Sequence, residues 1–212
     1  MYFHLPDLDT RKIYKLLAST VVPRPIAWVV TLGADGVPNA APFSFFNFFS
    51  GYPPVICLGM GYREGGDLKD SLYNIKASGE FVVNLVSEEL VGEMNTTAVP
   101  FAEGVNELEK AGLQTLASTD VAPPRIARSP VALECRMQQV VDIGRTGQLV
   151  IAHVVSMHIR DEAVINAEKC YIDTASLKLI GRMESPGWYA RTGDRFKLRQ
   201  LGVEEWTAQT DG

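Results

Sequence analysis

The sequence predicts a mainly β fold, a small antiparallel barrel with peripheral helices. Three observations predict it. The strand candidates are many and short, and they are rich in branched and aromatic residues. Several are joined by tight glycine-bearing turns, which suit antiparallel hairpins. The helical patterns are few and do not alternate regularly with strands, as a parallel sheet requires.

Residues 10–19 read as a short helix capped by Asp9 or Thr10, with Ile13, Leu16 and Leu17 on one face. Val22-Pro23-Arg24-Pro25 is rigid and extended, because each proline disfavours a helical residue before it. Residues 26–32 form a strand, 33–36 a hairpin turn built on Asp35-Gly36, and 37–41 the returning strand. Residues 42–50 are expected to be irregular and extended. Pro53-Pro54 stops that segment, and 55–60 is a buried strand.

Asp67 is placed as the cap of a helix running to Ser78, with Asp70 three positions on and Gly79 at its end. Residues 80–86 form a strand, and Ser87 caps a second helix with Glu88 and Glu89 in its first turn. Residues 96–130 are loop-rich, with one short helix over 106–111. Leu133, Cys135 and Met137 alternate with polar residues, the pattern of a half-exposed strand. A turn at 144–147 leads into a long strand over 149–160, then a short strand near 177–180 and a polar tail.

Composition excludes several classes. With 46% hydrophobic and 21% charged residues, the chain of 212 can build a core. A net charge of −5 and the absence of a basic stripe argue against nucleic acid. The residues at the start lack the basic and apolar parts of a secretory signal, and no run approaches the ~18 apolar residues of a membrane span. Cys57, Cys135 and Cys170 form no C-x-x-C pair. A cytoplasmic protein with no membrane contact is expected. His153 and His158, five apart in one strand, are expected on opposite faces and not as metal ligands. Gly59-Met60-Gly61 lacks the third glycine of a dinucleotide fingerprint, since position 64 is Glu. P-loop, nucleophile-elbow and H-E-x-x-H motifs are absent too.

Two segments offer chemistry. In 42–50, Phe43, Phe45, Phe46, Phe48 and Phe49 are interleaved with Ser44 and Asn47. Such a run suits either a core or the apolar wall of a flat ligand. Lys69, Asp70 and Ser71, at the start of a helix, suit either a routine helix start or a phosphate site combining charge, hydroxyl and free N–H groups. Arg24 is a second cation candidate and Thr31 a further polar one.

The segments Arg24-Pro25-Ile26-Ala27, Asn39-Ala40-Ala41-Pro42-Phe43-Ser44-Phe45-Phe46-Asn47, Lys69-Asp70-Ser71 and Gly79-Glu80-Phe81-Val82-Val83-Asn84-Leu85 resemble the flavin reductase-like family of FMN-binding split barrels. Ser129-Pro130-Val131-Ala132-Leu133-Glu134-Cys135 and Tyr189-Ala190-Arg191-Thr192-Gly193 are similar to it as well. The resemblance is nearest to the flavoredoxin and monooxygenase reductase-component branch. It covers about residues 15–195 of one domain spanning 1–212, with 196–212 a polar tail.

It implies an antiparallel, Greek-key-like split barrel and a homodimer binding FMN. Ser44, Phe45, Phe46 and Asn47 would line the isoalloxazine, and Lys69, Asp70 and Ser71 would serve the phosphate and ribityl end. Arg24 and Thr31 would lie nearby, with Trp28 and Tyr189 flanking the ring. The implied activity is an NAD(P)H-dependent flavin reductase passing hydride to flavin N5, with NADH or NADPH as donor and FAD as an alternative flavin substrate. The flavin does the chemistry, so no side chain is assigned as acid, base or metal ligand. An oxygenase or redox-protein partner would take the electrons. The alternative is an electron-transfer protein with permanently held FMN.

Overall fold

The computed structural model describes residues 1–63 and 65–210. Glu64, named above in rejecting the dinucleotide motif, and 211–212, the end of the expected tail, lie outside the described residues.

Hairpins build the sheet. Strands β1 (Ala27–Leu32) and β2 (Pro38–Phe43) flank a turn in which Gly36 takes φ 79° and Asp35 Oδ1 accepts from Val37 N at 3.0 Å. That positive φ is what Asp-Gly supplies cheaply. Strands β3 (Phe46–Gly51) and β4 (Pro54–Gly61) form a second hairpin, followed by β5 (Glu80–Leu85). Three short pairs stand apart from the main sheet, one before and two after its last hairpin. The first is β6 (Thr115–Leu116) with β7 (Arg125–Ile126). The hairpin itself is β8 (Val131–Asp142) and β9 (Gly147–Ile159). Then come β10 (Val164–Asn166) with β11 (Tyr171–Ile172), and β12 (Ile180–Arg182) with β13 (Tyr189–Arg191).

The seven-stranded antiparallel sheet has the order β2-β1-β5-β8-β9-β4-β3. Its non-sequential neighbours, β1–β5 and β4–β9, give the Greek-key-like crossing. The edge strands β2 and β3 share no ladder, so the sheet curls without closing; the expected barrel is split and open.

Helices α1 (Thr10–Thr20), α2 (Asp70–Ser78), α3 (Val91–Thr96), α4 (Glu107–Lys110) and α5 (Val203–Thr210) are peripheral. Asp9 caps α1 by accepting from Lys12 N. Asn106 caps α4 by accepting from Leu108 N and Glu109 N. Ser87 does not cap: its Oγ is buried without a partner, and a 3-10 turn (Glu88–Leu90) intervenes before α3.

Alternation along the strands makes two cores. Ala27 and Val29 of β1 face the inside of the curl with Ile56, Leu58, Phe81, Val83, Val150 and Ala152. Leu72 and Ile75 of α2 join them, worth ~1.5–3 kcal/mol each by burial. Trp28 and Val30 face the other side and pack with Leu90, Met94 and Leu108. Trp28 is fully enclosed, and its Nε1 donates to Thr97 Oγ1 at 2.9 Å.

The long β8–β9 hairpin corrects one expectation. Cys135 pairs with Val154 and Glu134 with Ser156, so Val155 is bulged out of register. A bulge reverses the alternation beyond it. His153 opposite Arg136 and His158 opposite Ala132 therefore share the outer face, where simple alternation puts them on opposite ones.

Candidate functional site

The site is organised by how α2 begins. The helix starts at Asp70, two residues later than a cap at Asp67 would place it, and Lys69 is its N-cap with no side-chain cap bond. The first-turn N–H groups of such a helix have no intrahelical acceptor and carry the positive end of its dipole. They open on a cleft of about 670 Å³, within the ~300–1,000 Å³ of small-molecule sites. Asn39, Ala41 and Pro42 of β2 form one wall, Tyr62 and Arg63 another, and residues 97–101 a third.

The cleft carries two cations in unlike states. Arg63 Nη2 lies 2.5 Å from Asp70 Oδ2, a tight ion pair. Lys69 has no carboxylate partner among the described residues; its Nζ lies 5.4 Å from the centroid of the Phe43 ring. Burial holds its pKa below the ordinary lysine value, and the Arg63 charge lowers it further. A half-buried, unpaired ammonium beside a second cation and a bare helix end is an arrangement completed by an anion.

A hydrogen-bonded chain fixes the wall opposite. Glu107 is 6% exposed; it accepts from Asn39 Nδ2 at 2.9 Å and from Ala40 N at 3.0 Å. Asn39 Oδ1 in turn accepts from Ser71 Oγ at 2.7 Å. Burial raises the Glu107 pKa, partly offset by the Ala40 N–H. The chain ties α4, β2 and α2 together around the cleft. A second tie, Asn74 Nδ2 to Thr31 Oγ1 at 3.0 Å, anchors α2 to β1.

Lys69, Asp70 and Ser71 thus lie together in the cleft. The other expected residues are scattered around it. Arg24 is buried and engaged: its Nη1 donates to the carbonyls of Ala18 and Val21, its Nη2 to that of Met183, and its Nε to Ser44 Oγ at 3.4 Å. It fastens α1 and the β12 region to the sheet and is not a free cation. Thr31 is fully buried as the Asn74 acceptor, and enclosed Trp28 has no ring face to offer a ligand.

Segment 42–50 is more regular than expected, since only Ser44 and Phe45 lie between β2 and β3. Phe45 is half-exposed against Tyr14, and Phe46 packs on the inner core. Asn47 is exposed, and its Oδ1 accepts from Phe48 N. Phe46, Asn47 and Phe48 line a separate apolar groove of about 410 Å³. Tyr189, half-buried on β13, stacks with the Arg182 guanidinium at 4.9 Å. Residues not singled out from sequence are Arg63, the Asn39 side chain, Glu107 and the 97–101 wall. Asn39 lay inside the quoted motif; Glu107 carried no local signal.

The fold is a split, curled antiparallel sheet with a cation-bearing cleft at one helix end. Residues 18–175 match the family model described as "Flavin reductase like domain". The chain belongs to the flavin reductase-like family. It is 43% identical over 212 residues to an uncharacterized protein of Deinococcus radiodurans, covering 98% of this chain and 93% of that one. Its structure is similar to the 2-nitrobenzoate 2-nitroreductase NbaA of Pseudomonas fluorescens, with TM-score 0.87, 32% identity, and coverage of 96% and 98%. It is also similar to nitrilotriacetate monooxygenase component B from Bacillus cereus, with TM-score 0.88, 30% identity, and coverage of 93% and 98%. A flavin-related oxidoreductase role follows from the family.

Proposed function

We propose that the chain binds FMN in the cleft between β2 and α2 and works as an NAD(P)H-dependent flavin reductase. The observation that carries this reading is the half-buried Lys69 ammonium, without a carboxylate partner among the described residues, at the N-terminus of α2. The residues present fit a flavin phosphate: Lys69 and Arg63 supply charge, and the α2 end supplies N–H donors. The β2 segment Ala41-Pro42 offers an apolar, backbone-rich wall to a flat ring.

A bound flavin supplies the redox chemistry, taking two electrons from NADH or NADPH and handing them on. The chain's own residues bind and orient. Lys69 holds the anionic end, Glu107 and Asn39 keep Ser71 and β2 in place, and residues 97–101 screen one side from water. FAD is an alternative flavin substrate. An oxygenase partner is proposed from the monooxygenase component among the similar structures.

A cytoplasmic homodimer completes the reading. Its three cysteines are free, and among the described residues no helix is long and apolar enough to cross a membrane. Phe48, Phe49 and Tyr52 are 72%, 67% and 97% exposed beside the apolar groove on β3–β4, the kind of patch that marks an interface.

The test is the visible spectrum of the purified protein under anaerobic conditions. Bands near ~370 and ~450 nm that bleach with NADH or NADPH are expected. Flavin bands that resist both donors would move the assignment to an electron carrier reduced by a protein partner. No flavin binding at all would overturn it.

A further inference from the structure

Asn39, Ser71 and Glu107 all line the Lys69 cleft, and all three are buried. The hydrogen bonds between them run in one direction, and that direction is set at the Glu107 end.

Both Glu107 oxygens accept: Oε1 from Asn39 Nδ2 and Oε2 from Ala40 N. A carboxylate has no hydrogen to give. The Asn39 amide must therefore turn its nitrogen to Glu107, which leaves its oxygen facing Ser71. An amide oxygen only accepts, so the single hydroxyl hydrogen of Ser71 goes to Asn39 Oδ1, at 2.7 Å. What remains on Ser71 Oγ is lone pairs.

This decides what Ser71 can bind. A phosphate oxygen is an acceptor and finds no hydrogen at Ser71 Oγ unless the Asn39 bond breaks. A ligand hydroxyl can donate to it with the whole chain intact. The Ser71 backbone N–H, in the first turn of α2, is a donor whatever the side chain does. We infer that Glu107 is a positioning residue that fixes Ser71 Oγ as a hydrogen-bond acceptor, so that this oxygen takes a hydroxyl of the ribityl chain and leaves the phosphate to Lys69, Arg63 and the end of α2. This rests on the flavin reading above. The cleft then reads the polyol and the anion with separate groups.

The experiment titrates FMN and riboflavin by flavin fluorescence against the wild-type protein, Ser71→Ala, Glu107→Gln and the double variant. Ser71→Ala is expected to weaken both ligands by the same factor of about three to ten, the scale of one neutral hydrogen bond, with their ratio held within about twofold. Weakening of FMN alone would make Ser71 a phosphate donor and overturn the inference. Glu107→Gln reverses the chain. Its amide oxygen accepts from Ala40 N, its nitrogen donates to Asn39 Oδ1, and the Asn39 nitrogen turns to Ser71. The hydroxyl hydrogen is then released to the phosphate, and the FMN-to-riboflavin affinity ratio should rise. The lost negative charge also favours FMN, and the double variant measures that part separately. The rise should be about three- to tenfold larger with the Ser71 hydroxyl present than in the Ser71→Ala background. An equal rise in both backgrounds, or weaker binding of both ligands at an unchanged ratio, is what a merely structural Glu107 gives, and it overturns the inference. The two ligands meet the same protein, so a loss of folded fraction cancels in the ratio. If Ser71→Ala does not fold, Ser71→Cys takes its place, since a thiol is a weak hydrogen-bond partner. If the wild type binds neither flavin, the flavin reading falls separately. The chain is then judged by calorimetry with ribitol phosphate and inorganic phosphate. Ribitol phosphate weakened by Ser71→Ala with inorganic phosphate unmoved keeps the inference, and any other result overturns it.

Discussion

Lys69→Ala is expected to weaken FMN binding by about ten- to a hundredfold, the loss of one or two charge-assisted hydrogen bonds at ~1.4 kcal/mol per factor of ten. Lys69 is the only cation of the described cleft without a carboxylate partner, because Asp70 is taken by Arg63. Desolvation and the neighbouring guanidinium make its charged form costly in the free protein. Removing it should therefore leave the melting temperature unchanged or slightly higher while flavin affinity falls. Lys69→Arg should retain most of the affinity. Because the lysine pKa is lowered, the ammonium is lost at a lower pH than for an ordinary lysine. Binding should accordingly weaken earlier on the alkaline side in the wild type than in Lys69→Arg. Fluorescence titration across pH reads all three quantities, and an unchanged affinity in Lys69→Ala would remove the residue from the site.

Glu134→Ala is expected to destabilise the fold by about 3–5 kcal/mol without a matching effect on flavin chemistry. The carboxylate is fully buried on the outer face of β8. It accepts from Thr119 N at 2.7 Å, Asp120 N at 2.6 Å and Val121 N at 3.2 Å, and lies 2.6 Å from His158 Nε2. Burial pushes its pKa up, but the Thr119 N–H, His158 and the Asp120 N–H outweigh that and hold it below the ordinary glutamate value. A lowered folded-state pKa stabilises above the unfolded value and is lost as pH falls through the folded one. The wild type should lose this contribution below about pH 4–5, where unfolded glutamates protonate, and Glu134→Ala should show a flatter acid limb. Urea midpoints measured across that window decide it.

The sheet was legible because its signals are local. The Asp35-Gly36 turn, the β1 run and the β8 alternation each need only neighbouring residues to be read. What failed depended on tertiary context. Asp67 has the right chemistry for a cap, yet the helix begins after Lys69, and that shift turns Lys69 from a first-turn residue into the N-cap. The phenylalanine run looked irregular because it is dense in aromatics, but β2 and β3 absorb all of it except Ser44 and Phe45. Arg24 looked available as a cation. The carbonyls that claim it come from α1 and from Met183, which no spacing reveals. Trp28 sat on a strand whose two faces are both buried, so alternation could not say which core it joins. Glu107 lies in a four-residue helix and meets Asn39 only through the fold.

The measurement that bears most directly on the central claim is the affinity for FMN against riboflavin, by fluorescence quenching at one pH and salt. The two ligands share the ring and ribityl chain and differ only in the phosphate. If Lys69, Arg63 and the N-terminus of α2 form an anion site, FMN should bind about a hundredfold or more tighter, at ~1.5–3 kcal/mol for each hydrogen bond to the charged phosphate. Most of that advantage should disappear in Lys69→Ala. Equal affinity for the two would contradict the account and place the phosphate, or the flavin itself, elsewhere.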